Sequence, residues 1–166
     1  MSFEEVRVIT VVYLAVFLPL FIYFTNKSKL PNWIPTFYIV GVVVCALGWE
    51  LWFTYGWLDG HSVDIRRSEV LNTWLPKNLN WLMNSMGDAG AVLLGGVWLM
   101  WLTHRKDATI FKQWRWSAFT ILIFWCISQN ILVEMFLYHD QLADGKPLSW
   151  APMSPLGPYF NPILFE

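Results

Sequence analysis

The sequence predicts an all-α fold: a polytopic integral membrane protein with about four transmembrane helices. Two observations carry this. The 166 residues are 56% hydrophobic and 18% aromatic but only 14% charged, a composition typical of membrane chains. The apolar residues also gather into four stretches near the roughly 20 residues that a bilayer crossing needs. These are residues 6–25, 35–58, 78–103 and 114–138. Residues 1–139 are expected to form one four-helix transmembrane domain, and residues 140–166 a tail outside the membrane.

The first span follows Glu4 and Glu5 rather than a basic segment, and no small-residue cleavage site comes after it. It is therefore expected to be a retained helix, not a signal peptide. Pro19 inside it is tolerable in a membrane helix. The second span carries Gly41, Cys45 and Gly48 at spacings that suit close helix packing. It also carries Glu50 within GWELWF, between Trp49 and Trp52.

Residues 59–77 form the longest loop. Val63, Val70, Leu71, Trp74 and Leu75 recur there at helical spacing, with Arg66, Arg67 and Glu69 between them. The pattern predicts one short amphipathic helix lying on the membrane and ending at Pro76. In the third span Asn80, Asn84 and Asp88 make a polar stripe, and Gly87, Ala91 and Gly95 a neighbouring small-residue face. The fourth span carries Gln129 and a second stripe, Asn130, Glu134 and Tyr138. In the tail, Pro147, Pro152 and Pro155 alternate with apolar groups such as Trp150, Phe160 and Phe165. That is too apolar for a solvated linker, so the tail is expected to pack on the outer face.

Lys and Arg favour loops one and three slightly, which places both termini and the 59–77 loop outside the cytoplasm.

The polar groups share a depth. At about 1.5 Å per residue from the outer helix ends, Glu50 and Asn130 lie about 12 Å deep, Asn84 about 9 Å, Asp88 about 15 Å and Glu134 about 6 Å. A carboxyl inside a bilayer segment costs roughly 2.5–3.5 kcal/mol on insertion scales and usually has a function. Spans two, three and four hold no Lys or Arg in their interiors. The acids are therefore expected to be neutral and hydrogen-bonded, or to await a cation.

Much chemistry is excluded. The net charge of −1 and the lack of a basic run argue against nucleic acid. Two cysteines, Cys45 and Cys126, make no disulfide framework or zinc motif. Three histidines are too few for a histidine-box di-iron site, and none lies where a bilayer-spanning haem needs it. Ser85, Ser117 and Ser128 have no histidine near them in the sequence, and no glycine-rich phosphate loop occurs. A through-path for protons is disfavoured, because span four before Ser128 is dry. A metal reading would fall on Asp59, His61, His139 and Asp140 at the outer surface, but no short ligand motif supports it. No cofactor is expected.

The sequence points to Glu50 and Asp88 as an acid–base pair, with Glu134 near the mouth of the site. Asn84, Gln129 and Asn130 would hold and orient them, Tyr138 would join them in binding the ligand, and Trp49, Trp52 and Trp125 would wall a pocket able to hold a carbocation. The expected function is an enzyme or binding protein for an apolar isoprenoid-like lipid, with membrane lipids as its surroundings. The alternative is a small accessory subunit of a larger membrane complex. The tryptophan-flanked acid of GWELWF is similar in its chemistry to those of integral-membrane terpene cyclases and sterol isomerases. Buried acids protonate a carbon–carbon double bond in those classes. The similarity covers a few residues around Glu50 and carries over no site.

Overall fold

The N-terminal apolar run folds as α1 (Phe3–Asn26), started by a reciprocal cap. Ser2 Oγ accepts from the Glu5 N–H at 3.2 Å, and the Glu5 carboxylate accepts from the Ser2 N–H at 2.6 Å. Pro19 lies inside α1 without ending it. This computed structural model describes the backbone of residues 1–56 and 62–137, and their side chains except those of Ala108 and residues 130–137. Trp57, Asp59, His61, Tyr138, His139, Asp140 and the tail lie outside the described residues, as do the side chains of Asn130 and Glu134.

A 3-10 turn, Lys27–Lys29, leads to α2 (Ile34–Leu47), which has a proline in its first turn. The second apolar stretch is not one straight span. It breaks at Gly48 and resumes as α3 (Trp49–Tyr55), bent by 46°. At Gly48 a β-carbon would stand 2.9 Å from the Val44 carbonyl oxygen, a contact that glycine avoids. Gly56, at φ 68°, ends α3 in the left-handed conformation that glycine adopts at little cost.

The expected single surface helix is two short ones, α4 (Val63–Arg66) and α5 (Glu69–Trp74). The chain extends between them at Arg67, at φ −121° and ψ 175°. Arg67 turns inward there. Its Nε donates to Asn72 Oδ1 at 2.7 Å, its Nη1 to Asn80 Oδ1 at 2.8 Å, and its Nη2 to the Leu75 carbonyl. Leu71 and Leu75 pack on Val8 of α1 in a small core. Burying each leucine is worth about 1.5–3 kcal/mol where water is the alternative. Ser68 Oγ donates to Glu5 Oε1 at 2.6 Å, and Tyr13 donates to the Trp74 carbonyl at 3.2 Å. The loop is thus a packed cap over the start of α1, with both arginines buried.

The third stretch is continuous: α6 (Lys77–Gly87), a π-helical segment (Asp88–Leu94), and α7 (Gly95–Thr103). It ends in a turn in which Arg105 and Lys106 adopt φ of 57° and 63°. A 3-10 turn, Ala108–Phe111, precedes α8 (Trp116–Leu137).

Phe3–Lys29 and Lys77–Thr103 are long and apolar enough to cross a membrane, and the bent pair α2–α3 makes a third crossing if counted as one. The apolar part of α8 within the described side chains, Trp116–Gln129, is shorter. Large apolar groups face outward, including Phe21, Val44, Leu47 and Phe124 at 66, 65, 65 and 72% exposed. Lipid-facing helices require such a surface. Among the described residues there is no strand.

Small residues set the packing. A β-carbon on Gly87 would meet the Ala15 side chain at 3.3 Å, and one on Gly90 would meet the Ala15 carbonyl oxygen at 2.8 Å. One on Gly95 would meet Trp125 of α8 at 3.1 Å. Gly87 and Gly95 therefore serve two different partners, not one shared face. The π segment between them bonds i to i+5, so the regular four-residue spacing no longer keeps residues on one line.

Candidate functional site

Glu50 sits two residues past the Gly48 bend and points inward, with 3% exposure. Thr54, one turn further along α3, is fully buried and donates from Oγ1 to Glu50 Oε2 at 3.3 Å. Asn84 of α6 lies near enough to act on the Glu50 carboxyl as well. Asp88, the first residue of the π segment, lies close enough to act on Glu50 electrostatically. Cys45 of α2 feels both acids. Helical segments of the second and third apolar stretches thus converge on two carboxyls. Glu50, Asn84 and Asp88, expected in one layer, are brought together.

A cation outside the spans also acts on the site. Arg66 of α4 is 1% exposed and acts electrostatically on Glu50. Its Nη2 donates to the Phe53 carbonyl at 2.5 Å, and its guanidinium lies 4.2 Å from the Phe53 ring centre. The spans themselves carry no interior base, but the cap above them folds one in. Beside Arg66, burial and the neighbouring positive charge push the Arg67 guanidinium down to about 10. Arg67 grips Asn80, so the Asn80–Asn84–Asp88 stripe runs from the cap to the acids.

Trp49 and Trp52 do not wall this site. They lie on the outer surface at 42 and 39% exposed. Successive helical residues turn by about 100°, so neighbours of an inward Glu50 face away from it. Trp125 does not wall it either. It donates from Nε1 to the Ala91 carbonyl at 2.8 Å and faces a separate groove. Gln129 is half-buried one turn further along α8.

That groove, of about 460 Å³, lies between α1, the π segment, α7 and α8. Ala15, Pro19 and Tyr23 line one wall, with Ala91, Trp98 and Trp125 opposite. Its lining contains none of Glu50, Asn84 and Asp88.

One serine does meet a histidine. His104 Nε2 lies 2.9 Å from Ser117 Oγ, while its Nδ1 lies 2.8 Å from the Met100 carbonyl oxygen. A carbonyl can only accept, so Nδ1 carries the proton and Nε2 accepts from Ser117. The pair ties the end of α7 to the start of α8. It is invisible in the sequence because a loop of a dozen residues brings it together.

Thr54 and Arg66 were missed as site residues. Thr54 stands four residues after Glu50, so helical spacing marks it as a partner. Arg66 arrives through a fold-back that no local pattern encodes. Among the described residues, no group of three or more His, Cys, Asp or Glu could hold a metal ion. The metal candidates Asp59, His61, His139 and Asp140 lie outside the described residues, as do Tyr138 and the side chains of Asn130 and Glu134. No known protein family, curated protein or solved structure matches the chain.

Proposed function

We propose that the chain is an integral membrane protein of four spans whose Glu50–Asp88 pair transfers a proton to and from an apolar, isoprenoid-like lipid. The carrying observation is the pairing of two carboxyls, Glu50 with almost no exposure and Asp88 close beside it, with Thr54 donating to Glu50. Two carboxyls this close in a low-dielectric interior disfavour double ionisation, so the pair keeps one proton. A carboxyl that holds a proton beside a carboxylate that can take one is the minimal equipment for isomerisation. The acid adds a proton to a carbon–carbon double bond, and the second carboxyl removes one from the adjacent carbon. Atoms and charge balance without a cofactor.

Several features support the reading. Asn84 and Asp88 keep partial exposure while Glu50 keeps almost none, so access to the pair runs past Asp88. The π segment begins at Asp88, and such insertions recur at functional sites. The backbone of α8 stays helical to Leu137, which supports a fourth span ending near residue 138. An even number of spans, with the slight charge bias of the loops, would support both termini lying outside the cytoplasm.

A second reading, an accessory subunit of a larger membrane complex, draws on the breadth of outward aromatic surface, such as Trp114 and Trp116 at 65 and 71% exposed. Purification in mild detergent followed by mass spectrometry of extracted lipids separates the two. The first reading expects a neutral isoprenoid-like lipid retained near one per chain. Recovery in a stable complex with larger subunits, and without such a lipid, would favour the second and count against the first.

A further inference from the structure

The groove between α1 and α7 has no role in the chemistry above, yet its position and its rim are specific. We propose that it holds one acyl chain of an anionic phospholipid, with the phosphate gripped by a basic rim at one membrane face.

The groove first. From Tyr23 to Val11 its α1 wall runs about 18 Å at 1.5 Å per residue. The hydrocarbon core of a bilayer is about 30 Å thick, so one leaflet supplies chain to a depth of about 15 Å. The groove therefore reaches from one face to near the midplane, the length of a single lipid chain. Its volume lies within the usual range for small-molecule sites. Its walls are apolar almost throughout, which suits a hydrocarbon tail and not a headgroup.

The rim next. Tyr23 and Leu30 line the groove on either side of the Lys27–Lys29 turn. On the facing wall Leu99 lines it, and α7 ends at Thr103, just before Arg105 and Lys106 in the turn that follows. Aromatic contact holds the two loops side by side: Trp33 and Phe111 pack edge to face at 5.8 Å, and Phe111 joins Leu30 and Tyr23 around Ile34. The two segments, residues 26–33 and 104–115, carry six Lys and Arg. Their one acid is Asp107, which Arg115 already meets at 3.8 Å. Lys27, Lys29, Arg105 and Lys106 are exposed at this rim. Basic clusters beside an interhelical groove select anionic headgroups.

This site is separate from the carboxyl pair, since the groove touches neither acid. The test uses the full chain, solubilised and titrated with phosphatidylglycerol, phosphatidylcholine of the same chains, or glycerol 3-phosphate, and read by native mass spectrometry. The expected result is retention of phosphatidylglycerol at least tenfold above phosphatidylcholine. Replacing Lys27, Lys29 and Arg105 together by Gln should bring the two lipids level. Ala91→Leu, which fills the groove wall, should lower retention of both; Ala91→Val is the gentler variant if the leucine does not fold. Glu50→Gln should change neither, which keeps this test apart from the proton-transfer reading. Equal retention of the two lipids by the unaltered protein would overturn the proposal. So would full displacement by glycerol 3-phosphate, which marks a free-phosphate site, or unchanged retention in a folded Ala91 variant.

Discussion

Thr54 Oγ1 donates to Glu50 Oε2 across one helical turn, 3.3 Å apart, with both side chains almost completely buried. The hydroxyl satisfies one carboxyl oxygen and fixes its direction. Thr54→Val keeps the shape and removes the donor. It should cost about 1 kcal/mol, and up to about 3 if the carboxyl oxygen finds no other partner. Thermal unfolding in detergent of Thr54→Val beside Thr54→Ser would check this, with the serine variant close to the unaltered protein.

Arg66 should matter more. Arg66 is buried, donates to the Phe53 carbonyl and acts on Glu50, and removing one partner of such a buried charged group costs about 3–5 kcal/mol. Arg66→Met should therefore destabilise severely. Adding Glu50→Gln to Arg66→Met should recover part of the loss, because the charge left behind is gone. Equal and additive losses in the double-mutant cycle would show that the two side chains do not interact.

The helical class and the polar stripe were legible in the sequence, because both follow from local spacing. Asn80, Asn84 and Asp88 share a face by arithmetic alone, and the structure sets Asn84 and Asp88 against Glu50. Arg66 was not legible. Its value to the site depends on α4 folding back against α3, and its sequence neighbours read as a membrane-surface helix. The outward turn of Trp49 and Trp52 follows from the same helical arithmetic, because neighbours in sequence on a helix do not face the same way. The split of Gly87 from Gly95 depends on the π segment, for which no local pattern gives a rule.

The cap carries a pH response outside the spans. Burial raises the Asp64 carboxyl, but bonds from Ser62 and Lys77 together outweigh it and hold it below its usual 3.8. Lys77 Nζ donates to Asp64 Oδ2 at 3.0 Å. A folded-state value below the unfolded one means the contribution is present above the unfolded value and fades as pH falls through the folded one. Acid titration of cap unfolding, followed by hydrogen exchange at Leu71, should show loss beginning below about pH 4. Lys77→Gln should weaken this dependence, and an identical titration in that variant would speak against the pairing.

Trp125 joins α8 to the π segment through the Ala91 carbonyl, 2.8 Å from its Nε1. Trp125→Phe keeps the packing over Gly95 and loses the bond. Interhelical hydrogen bonds in membranes average about 0.6 kcal/mol and reach about 1.7. A loss within that range, measured by steric trapping or thermal unfolding, is expected. A loss several times larger would mean that the ring's packing, not its N–H, holds α8.

Proton transfer by Glu50 and Asp88 to and from a lipid leaves an isotopic trace, and deuterium exchange measures that transfer itself. The purified protein with its extracted native lipids is incubated in heavy water, and deuterium at non-exchangeable lipid carbons is followed by mass spectrometry. The account predicts deuterium incorporation into one apolar lipid. It also predicts that Glu50→Gln and Asp88→Asn each slow incorporation by about 10²-fold or more while the protein stays folded, and that the two losses do not add. No incorporation with the unaltered protein, or full incorporation with a folded Glu50→Gln variant, would contradict it.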